Sequence, residues 1–392
     1  MTHDHRSVVR RQASPASATR PLGRGIETAV AYIAEDPDAM DAVYETGLDG
    51  YTYAREGHPN WSLVADKIDW LESASGGVVT GSGMAAVGAV LLSVLKSGDH
   101  VVAGDQLYGR SLRLMREELP RMGVEVTLVD PTDGAAFAAA IRDDTRLALV
   151  EVVANPTLRV ADMPAIVEAC QSRGVLLAVD NTFTTPRLYR PLIEGADFVI
   201  HSVTKLLAGH ADATLGYAAA KDPADAKRLT DVVVTWGMTP APFDCWLAER
   251  GMHSFDLRFE RAQSNAAALA DHLAHLTGVE AVLYPGRPDH PDHNRARAFM
   301  PDGNGYMVSF RLGGGREAAN RFVHAAEHLP FAPTLGDVAT TLSHPATSSH
   351  RGLTEEQRQA LGITQGFIRV SVGIENPDLI LREVEAAVAA AQ

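Results

Sequence analysis

The chain has 392 residues and a formal net charge of −14, because 49 acidic residues outnumber 35 lysines and arginines. An acidic chain argues against the nucleic-acid backbone as a partner, and this length is enough for a large buried core. Its two cysteines, Cys170 and Cys245, cannot form a disulfide framework or a Cys-x-x-Cys site. We find no apolar run of the roughly 20 residues that a membrane span needs, and no apolar signal-peptide core at the N-terminus. We therefore expect a soluble, cytoplasmic protein.

Two segments precede the first regular pattern. Residues 1–20 are rich in Arg, Ser, Ala, Thr and His without periodicity, which predicts a mobile arm. Residues 21–53 are interrupted by glycines and weakly patterned. They predict an extended segment that packs on another surface, such as a second subunit. We assign residues 1–55 to an N-terminal arm and inter-subunit segment.

From about residue 60, helical and strand patterns alternate. Apolar spacing predicts helices over 61–71, 84–95, 112–122 and 163–173. Short, mostly β-branched runs bounded by Gly, Asp or Pro predict strands over 100–103, 124–129, 147–153, 175–179 and 198–201. This alternation is typical of a mostly parallel sheet covered on both faces. Residues 56–250 are therefore expected to form a large α/β domain.

A second, smaller domain is expected to follow. A helix over 255–276 leads out of the first domain. Strands over 279–283, 306–311 and 366–372 then mix with a helix over 317–326 and a final helix from Pro377. This mixture predicts an α+β C-terminal domain over residues 251–392.

Ligand-binding residues are expected just after each apolar run, because ligands of parallel α/β sheets bind at the carboxyl ends of the strands. Gly81-Ser82-Gly83-Met84 opens the helix at 84–95, where exposed N–H groups and the helix dipole favour an anion. The alternative is a glycine-rich helix entry without a ligand. The segment is not a Walker loop, and Ala86 stands where a GxGxxG motif has its third glycine.

Two further candidates follow strands of the same sheet. Asp180 ends the run at 175–179, and an acid there can hold a cationic ring nitrogen or a metal. The alternative is a helix N-cap or a loop carboxylate. Lys205 follows the run at 198–201, after Ser202 and Thr204. The hydroxyls could bind phosphate, and a desolvated lysine suits Schiff-base formation, although a solvated lysine is the alternative.

The fourth candidate is Arg369, which stands inside the apolar strand at 366–372. Arginine is shaped for two-point binding of a carboxylate, and a structural ion pair is the competing interpretation. Together the four places provide an anion cradle, an acid for a ring nitrogen, an amine and a carboxylate clamp. This set describes a pyridoxal 5′-phosphate site that acts on an amino acid.

From about residue 51 onward, the sequence resembles the Cys/Met-metabolism family of pyridoxal-phosphate enzymes, the cystathionine γ-synthase-like group. The matching stretches are Tyr53-Ala-Arg55, Ser82-Gly-Met84, Gly98-Asp-His100, Tyr108-Gly109, Asn155-Pro156, Asp180-Asn-Thr-Phe183, Gly195-Ala-Asp197, Ser202-Val-Thr-Lys205 with Gly209-His210, His344-Pro-Ala346 and Arg369-Val-Ser-Val-Gly-Ile-Glu375. The resemblance implies the type I fold of these enzymes, which is aspartate-aminotransferase-like.

The resemblance also implies roles for single residues. Lys205 would form the Schiff base, Asp180 would pair with the pyridine nitrogen, and Tyr108 would stack on the ring and assist proton transfer. Arg369 would bind the substrate α-carboxylate, and Asn155 the phenolic oxygen of the ring. The expected phosphate ligands are Ser82, Gly83, Met84, Ser202, Thr204 and, from a neighbouring subunit, Tyr53 and Arg55. An obligate homodimer within a homotetramer follows from that last pair.

The reaction that the family implies begins with loss of the Cα proton to Lys205 and continues with departure of a γ-substituent from a homoserine-derived or sulfur amino acid. Elimination or replacement by a nucleophile then completes it. Arg113 resembles the arginine that binds the distal carboxylate of cystathionine, with a surface arginine as the alternative. We expect a cystathionine γ-lyase or γ-synthase. The alternatives are an O-acylhomoserine sulfhydrylase, a methionine γ-lyase or a specialised γ-replacement enzyme, with transamination further behind.

Several departures from the family pattern bear on the substrate. Arg110 replaces the cysteine typical of methionine γ-lyases, and Ala339 replaces a glutamate that meets the distal ammonium in many cystathionine enzymes. Thr334 begins Thr-Leu-Gly-Asp, which resembles the sulfhydrylases and methionine γ-lyases, and we place it among the substrate-binding residues. Four histidines could suggest a metal site, but we interpret them as loop residues and predict no metal; they are His290, His293, His344 and His350.

Overall fold

The structure is a computed structural model of the chain, and it describes residues 17–45 and 49–392. Most of the predicted arm, residues 1–16, lies outside the described residues. Within the segment predicted to be extended, a short helix forms, α1 (Pro37–Glu45). The prediction of an extended segment is therefore wrong over α1, and Ala31 pairs with Tyr53 in an antiparallel bridge.

A seven-stranded sheet forms the larger layer. Its strands are β1 (Val78–Thr80), β2 (His100–Gly104), β3 (Glu125–Val129), β4 (Thr145–Glu151), β5 (Leu176–Asp180), β6 (Phe198–Ser202) and β7 (Gly216–Ala220). The order is β1-β7-β6-β5-β4-β2-β3, and β7 is antiparallel to both of its neighbours. The pairs β6–β5, β5–β4, β4–β2 and β2–β3 are parallel. Their carboxyl ends therefore meet at one edge, and the predicted α/β class is confirmed.

Helices accompany this sheet in chain order. They are α2 (Pro59–Glu72), α3 (Gly83–Val94), α4 (Gly109–Arg113), α5 (Leu119–Arg121), α6 (Gly134–Ala140), α7 (Met163–Arg173), α8 (Thr185–Leu188), α9 (Pro223–Thr235) and α10 (Pro242–Met252). Side chains start two of the helices that the sequence predicted. His58 accepts the Trp61 N–H at 3.1 Å before α2, and Ser82 accepts the Ala85 N–H at 3.1 Å before α3.

One helix prediction needs correction. The stretch predicted as a single helix over 112–122 consists of α4, a π-helical turn (Leu114–Glu118) and α5. The Leu119 N–H bonds to the Leu114 carbonyl, five residues back, and Pro120 has no N–H to continue the α-helical ladder. The helical hydrogen bonding therefore changes from the α to the π pattern and back next to the site described below.

The C-terminal part forms a four-stranded antiparallel sheet in the order β10-β11-β9-β8. Its elements are α11 (Phe255–Leu273), β8 (Val279–Leu283), α12 (His293–Phe299), β9 (Met307–Leu312), α13 (Gly315–Ala325), β10 (Thr341–Ser343), α14 (Glu355–Ala360), β11 (Phe367–Ser371) and α15 (Pro377–Ala391). A second apolar core lies between this sheet and α11, α13 and α15. The domain boundaries at residues 55 and 250 stay a prediction. Across residues 17–45 and 49–392, no helix is long and apolar enough to cross a membrane.

The loop at residues 334–338 connects the two sheets. A Cβ on Gly336, whose φ is +78°, would lie 2.5 Å from the backbone nitrogen of Leu206, so the two backbones are in close contact. The Gly336 N–H donates to the Ser371 hydroxyl at 2.8 Å, and the Val338 N–H donates to the Gly209 carbonyl at 2.9 Å. This loop fixes the smaller sheet against the turn that follows β6.

Candidate functional site

A cavity of about 1000 Å³ lies at the carboxyl edge of the large sheet. Both sheets contribute to its walls. It brings together most of the residues predicted from the sequence, namely Ser82, Gly83, Met84, Tyr108, Arg113, Asn155, Asp180, Ser202, Thr204, Lys205, Thr334 and Arg369. These positions span nearly 290 residues of sequence, so the fold assembles them from separate loops and strand ends.

Two predicted site residues lie elsewhere in the chain. Tyr53 and Arg55 are not among the residues that line the cavity, and both side chains are largely exposed. The Arg55 guanidinium lies 5.7 Å from the centre of the Tyr53 ring and donates to the Val234 carbonyl at 3.3 Å. The cavity is therefore lined without this pair.

Lys205 lies in the turn after β6 with its amine inside the cavity. Burial lowers the pKa of this amine, and the positive charge of Arg369 lowers it further. The Nζ atom lies 3.5 Å from the Thr334 hydroxyl. A lysine with a lowered pKa has a larger neutral fraction near neutral pH, which is the state that attacks a carbonyl carbon.

A buried arginine holds the turn that carries this lysine. Arg258, on α11, donates from Nη1 to the Leu206 carbonyl at 2.6 Å and from Nη2 to the Leu207 carbonyl at 3.0 Å. Its Nη2 also donates to the Gly251 carbonyl at 2.9 Å, and the side chain is only 3% exposed. Burial lowers the pKa of this guanidinium to about 10, so it still carries its charge. No pattern in the sequence indicated this contact.

Asp180 ends β5 and faces the same cavity. Burial raises the pKa of its carboxyl, whereas the Thr182 hydroxyl, the Thr182 N–H and the charge of His201 lower it. The Thr182 N–H donates to Asp180 Oδ1 at 3.0 Å. Behind this loop, buried Glu72 accepts from His201 Nε2 at 2.5 Å and from Asn181 Nδ2 at 2.8 Å. A network of fully buried polar groups therefore supports the loop that carries Asp180.

A second carboxyl, Glu151, lines the cavity and was missed by the sequence analysis. It ends β4 and is paired in register with Asp180 of β5. Its Oε1 accepts the Tyr108 N–H at 2.6 Å. Glu151 lay inside the run at 147–153 that was predicted to be strand. The signal that identified Asp180, an acid at the end of an apolar strand, was present here also.

The start of α3 and the end of β6 lie close together and form a cradle that could hold an anion. A Cβ on Gly83 would lie 2.7 Å from the Ser202 Cβ, so only glycine leaves room there. The free N–H groups of the first turn of α3 face the Ser202 end of β6, which suits a phosphate. The Thr204 hydroxyl is already engaged, because it donates to the Leu215 carbonyl at 3.1 Å and accepts the Leu215 N–H at 3.0 Å.

Arg369 lies in the middle of β11 and is buried. Its Nη1 donates to Asn155 Oδ1 at 2.8 Å, and its Nη2 donates to the Thr334 carbonyl at 2.6 Å. The Nε atom is buried without a hydrogen-bond partner in the part of the chain that the structure describes. Burial lowers the pKa of the guanidinium to about 10. A positive group held in this way, with spare donor capacity, suits an incoming carboxylate.

The outer part of the cavity, which we call the rim, consists of residues 109–117 and 347–353. Gly109 packs so closely on the Ser349 carbonyl that a side chain there would clash, which joins the two segments. Four arginines line the rim, namely Arg110, Arg113, Arg116 and Arg351. Arg113 Nε donates to Glu117 at 2.8 Å. The side chains of Arg110 and Arg351 have no hydrogen-bond or ion-pair partner among the described residues.

The histidines considered for a metal site have structural partners. His344 Nε2 lies 2.8 Å from the Gln365 carbonyl, and His293 Nδ1 lies 3.0 Å from the Pro285 carbonyl. Burial lowers the pKa of both His290 and His350 to about 4. Within residues 17–45 and 49–392, no group of three or more His, Cys, Asp or Glu side chains could hold a metal ion.

A buried lysine with a lowered pKa, an acid at the neighbouring strand end, a phosphate cradle and a buried arginine together define a pyridoxal-phosphate enzyme that acts on amino acids. The donor set fits this cofactor, because the cradle, the amine and the acid all face one cavity. The chain belongs to the Cys/Met metabolism PLP-dependent enzyme family, whose model matches residues 6–389.

The chain is similar to enzymes of several specificities. It is 39% identical over 338 residues to the L-methionine gamma-lyase of Fusobacterium nucleatum subsp. polymorphum, which covers 86% of this chain and 85% of that protein. It is 36% identical over 368 residues to the O-succinylhomoserine sulfhydrylase of Pseudomonas aeruginosa, covering 94% of this chain and 91% of that one.

Solved structures give the same picture. The cystathionine gamma synthase of Xanthomonas oryzae pv. oryzae, in complex with cystathionine, superposes with a TM-score of 0.90 at 34% identity, covering 96% of this chain and 95% of that one. The predicted type I fold and the pyridoxal-phosphate cofactor are thereby confirmed. The protein is a pyridoxal-phosphate-dependent lyase or transferase of the transsulfuration type, and γ-elimination or γ-replacement on a sulfur or homoserine-derived amino acid fits it.

Proposed function

We propose that the enzyme acts on amino acids whose γ-substituent carries a negative charge, and that the cavity residues act as follows. Lys205 binds the cofactor and moves the proton at Cα, and Arg369 holds the substrate α-carboxylate. Asp180 presents its negative charge at the ring nitrogen, and Tyr108 stacks on the ring. The rest of the predicted binding set keeps its proposed roles, namely Ser82, Gly83, Met84, Asn155, Ser202 and Thr204 toward the cofactor and Arg113 and Thr334 toward the substrate.

Proton transfer at Cα is the central task of the chain's own groups. Bound pyridoxal phosphate supplies an electron sink for the negative charge that develops at Cα. The lowered pKa of the Lys205 amine favours its neutral form, which is able to accept a proton. The Thr334 hydroxyl, 3.5 Å from Nζ, offers a hydrogen-bond partner that keeps the amine near the carboxylate clamp. A proton is then lost from Cβ, the γ-substituent leaves with its bonding electrons, and a nucleophile or a proton takes its place.

The observation that carries the substrate proposal is the arginine-rich rim. Arg110 and Arg351 have no partner there among the residues that the structure describes, whereas the whole chain has a net charge of −14. Unpaired cations gathered at one place in an acidic protein favour an anionic ligand. Ala339 offers no carboxylate for a distal ammonium. An anion such as the free carboxylate of O-succinyl-L-homoserine therefore suits the rim better than a neutral group.

Cystathionine is the second candidate, because Arg113 also lines the rim and resembles the arginine that binds its distal carboxylate. Arg113 is paired with Glu117 at 2.8 Å, which leaves less of its charge for a ligand. Arg110 has no such partner. For this reason we place O-succinyl-L-homoserine before cystathionine.

The test gives the purified holoenzyme O-succinyl-L-homoserine, O-acetyl-L-homoserine, L-cystathionine and L-methionine separately, with and without a thiol, and identifies products by mass spectrometry. We expect the highest kcat/KM for the succinyl ester. Arg110→Gln should lower that value about tenfold, which corresponds to about 1.4 kcal/mol, and leave the acetyl ester almost unchanged.

The matched control is Arg121→Gln. Arg121 lies just after the π-helical turn. Its exposed side chain pairs with Glu118 at 2.8 Å and does not line the cavity. Equal losses for the two esters in Arg110→Gln would contradict the charge argument. If the fastest reaction is the cleavage of cystathionine to cysteine and 2-oxobutyrate, cystathionine becomes the first candidate. Turnover by Lys205→Ala would refute the assignment of the lysine.

We also propose that the active form is a homodimer, paired into a homotetramer, in the cytoplasm. Tyr53 and Arg55 lie outside the cavity of their own subunit, so a role at the phosphate requires a second copy. Leu22 and Ile33 of the N-terminal segment are almost fully exposed, which favours burial against another chain. The two free, buried thiols suit a reducing compartment. Light scattering of wild type and of a variant lacking residues 1–33 tests the assembly: wild type should be a tetramer, and a monomeric wild type would refute it.

A further inference from the structure

Glu151 is a buried carboxyl of the cavity that the mechanism above does not use. It is 9% exposed and stands beside Asp180, because the two residues are paired in register on parallel strands. Its Oε1 accepts the backbone N–H of Tyr108 at 2.6 Å. Tyr108 directly precedes α4, and its own ring is exposed toward the cavity. Glu151 therefore bonds to the backbone of Tyr108, and the proposed function depends on the orientation of the Tyr108 ring.

The two neighbouring carboxyls differ in their surroundings. Burial raises the pKa of Glu151 well above its usual range, and the negative charge of Asp180 raises it further, against one hydrogen bond from Tyr108. Asp180 accepts the Thr182 N–H at 3.0 Å, and its nearness to Thr182 and His201 lowers the pKa of its carboxyl against the effect of burial. Glu151 is buried whereas Asp180 is partly exposed, and of two adjacent carboxyls that cannot both ionise readily, the more exposed one keeps the charge. Glu151 is therefore the protonated member of the pair.

We propose that Glu151 is a positioning residue, which as a neutral carboxylic acid holds the Tyr108 peptide and so orients the tyrosine ring, while it leaves Asp180 as the sole negative charge of the pair. This inference rests on the roles proposed above for Tyr108 and Asp180. A neutral acid accepts an N–H through its carbonyl oxygen, and it adds no second negative charge to the cavity wall. An amide has the same acceptor and the same shape, whereas an aliphatic side chain has neither a carbonyl nor a charge.

The experiment compares Glu151→Gln with Glu151→Leu. The glutamine variant should keep kcat within about 3-fold of wild type, with an unchanged pH profile. The leucine variant should lower kcat about 10- to 100-fold, as expected for a misplaced catalytic side chain. It should also reduce the visible-region circular dichroism of the bound cofactor and raise the cofactor dissociation constant. These two measurements require no substrate.

The matched control is Asp197→Leu. Asp197 also accepts a backbone N–H in the same sheet, that of Leu177 at 2.8 Å, but at the amino-terminal end of β6, away from the cavity. This variant should lower the Tm without changing the dichroism or kcat. If Glu151→Leu does not fold, Glu151→Met, a flexible side chain of similar length without an acceptor oxygen, gives the same comparison.

Two outcomes would overturn the proposal. A glutamine variant as impaired as the leucine variant would mean that an ionised Glu151 is required. A leucine variant with wild-type dichroism, cofactor affinity and kcat would mean that the hydrogen bond positions nothing. Failure of the proposed function would differ, because an enzyme inactive on every γ-substituted substrate would still show the effects of Glu151 on the bound cofactor.

Discussion

Replacement of Arg258 by methionine should destabilise the fold and loosen the turn that carries Lys205. Arg258 is 3% exposed and donates to the carbonyls of Leu206 and Leu207, immediately after the lysine. Neither carbonyl has another donor among the described hydrogen bonds. Methionine has a similar length and no N–H, so the substitution leaves both oxygens buried and unpaired. The third acceptor, the Gly251 carbonyl, keeps the Ser254 N–H as a donor.

The size of the effect follows from these two oxygens. An unsatisfied buried acceptor costs about 1–3 kcal/mol, so two of them cost about 4 kcal/mol. Unfolding entropy of about 2.1 cal/mol/K per residue amounts to about 0.8 kcal/mol/K for a chain of 392 residues. The Tm of the Arg258→Met variant should therefore fall by about 5 °C.

Differential scanning calorimetry of the cofactor-loaded and cofactor-free enzymes measures this loss. Arg261→Met is the matched control, because Arg261 lies about one turn along the same helix and is exposed. The control should change the Tm by less than about 1 °C, since surface substitutions rarely cost more than about 0.5 kcal/mol. Equal Tm values for the two variants would refute the argument that Arg258 holds the turn.

Three further results are expected. Gly83→Ala should raise the dissociation constant of pyridoxal phosphate about tenfold or more in a spectroscopic titration, because the new methyl group meets Ser202; unchanged affinity would contradict the cradle. Arg369→Gln removes a positive charge that lowers the pKa of Lys205, so the pH curve for the rate of cofactor loading should move to higher pH; a shift to lower pH would contradict it. The pKa of His290 is about 4 in the folded state and about 6.5 in the unfolded state, so the free energy of unfolding decreases as the pH falls from about 6.5 to about 4. His290→Gln should recover about 2 kcal/mol of that loss in urea unfolding at about pH 5. An unchanged dependence of stability on pH in this variant would exclude His290 as the source of the loss.

Longer runs dense in β-branched residues were predictable as strands from the sequence, whereas the three-residue strand β1 and the alanine-rich strand β7 were not predicted. The run at 198–201 was identified because Phe, Val and Ile are dense there. β7 reads Gly-Tyr-Ala-Ala-Ala, which has low strand propensity. It forms because β1 and β6 pair with it on both sides and its residues are fully buried. Tertiary pairing, which a single sequence does not display, overrides the local preference.

The site was more predictable than its support. The residues that face the cavity follow strand ends or carry motifs, so Asp180 and Lys205 could be identified from local patterns. The supporting residues come from distant elements, as Arg258 does from α11 and Glu72 from α2. Their partners are backbone carbonyls and buried side chains, which leave no pattern in the sequence. Glu151 is the exception, because its position at a strand end was visible and was passed over.

The loop at residues 334–338 has a consequence for how molecules enter and leave the cavity. It is bonded to β11 on one side and to the turn after Lys205 on the other. A hinge motion that swings the two sheets apart would break these contacts at the same time as it separated Arg369 from Lys205. Passage through the rim needs only the movement of surface segments, which takes microseconds to milliseconds. Substitutions that limit product release should therefore cluster in residues 109–117 and 347–353 rather than between the sheets.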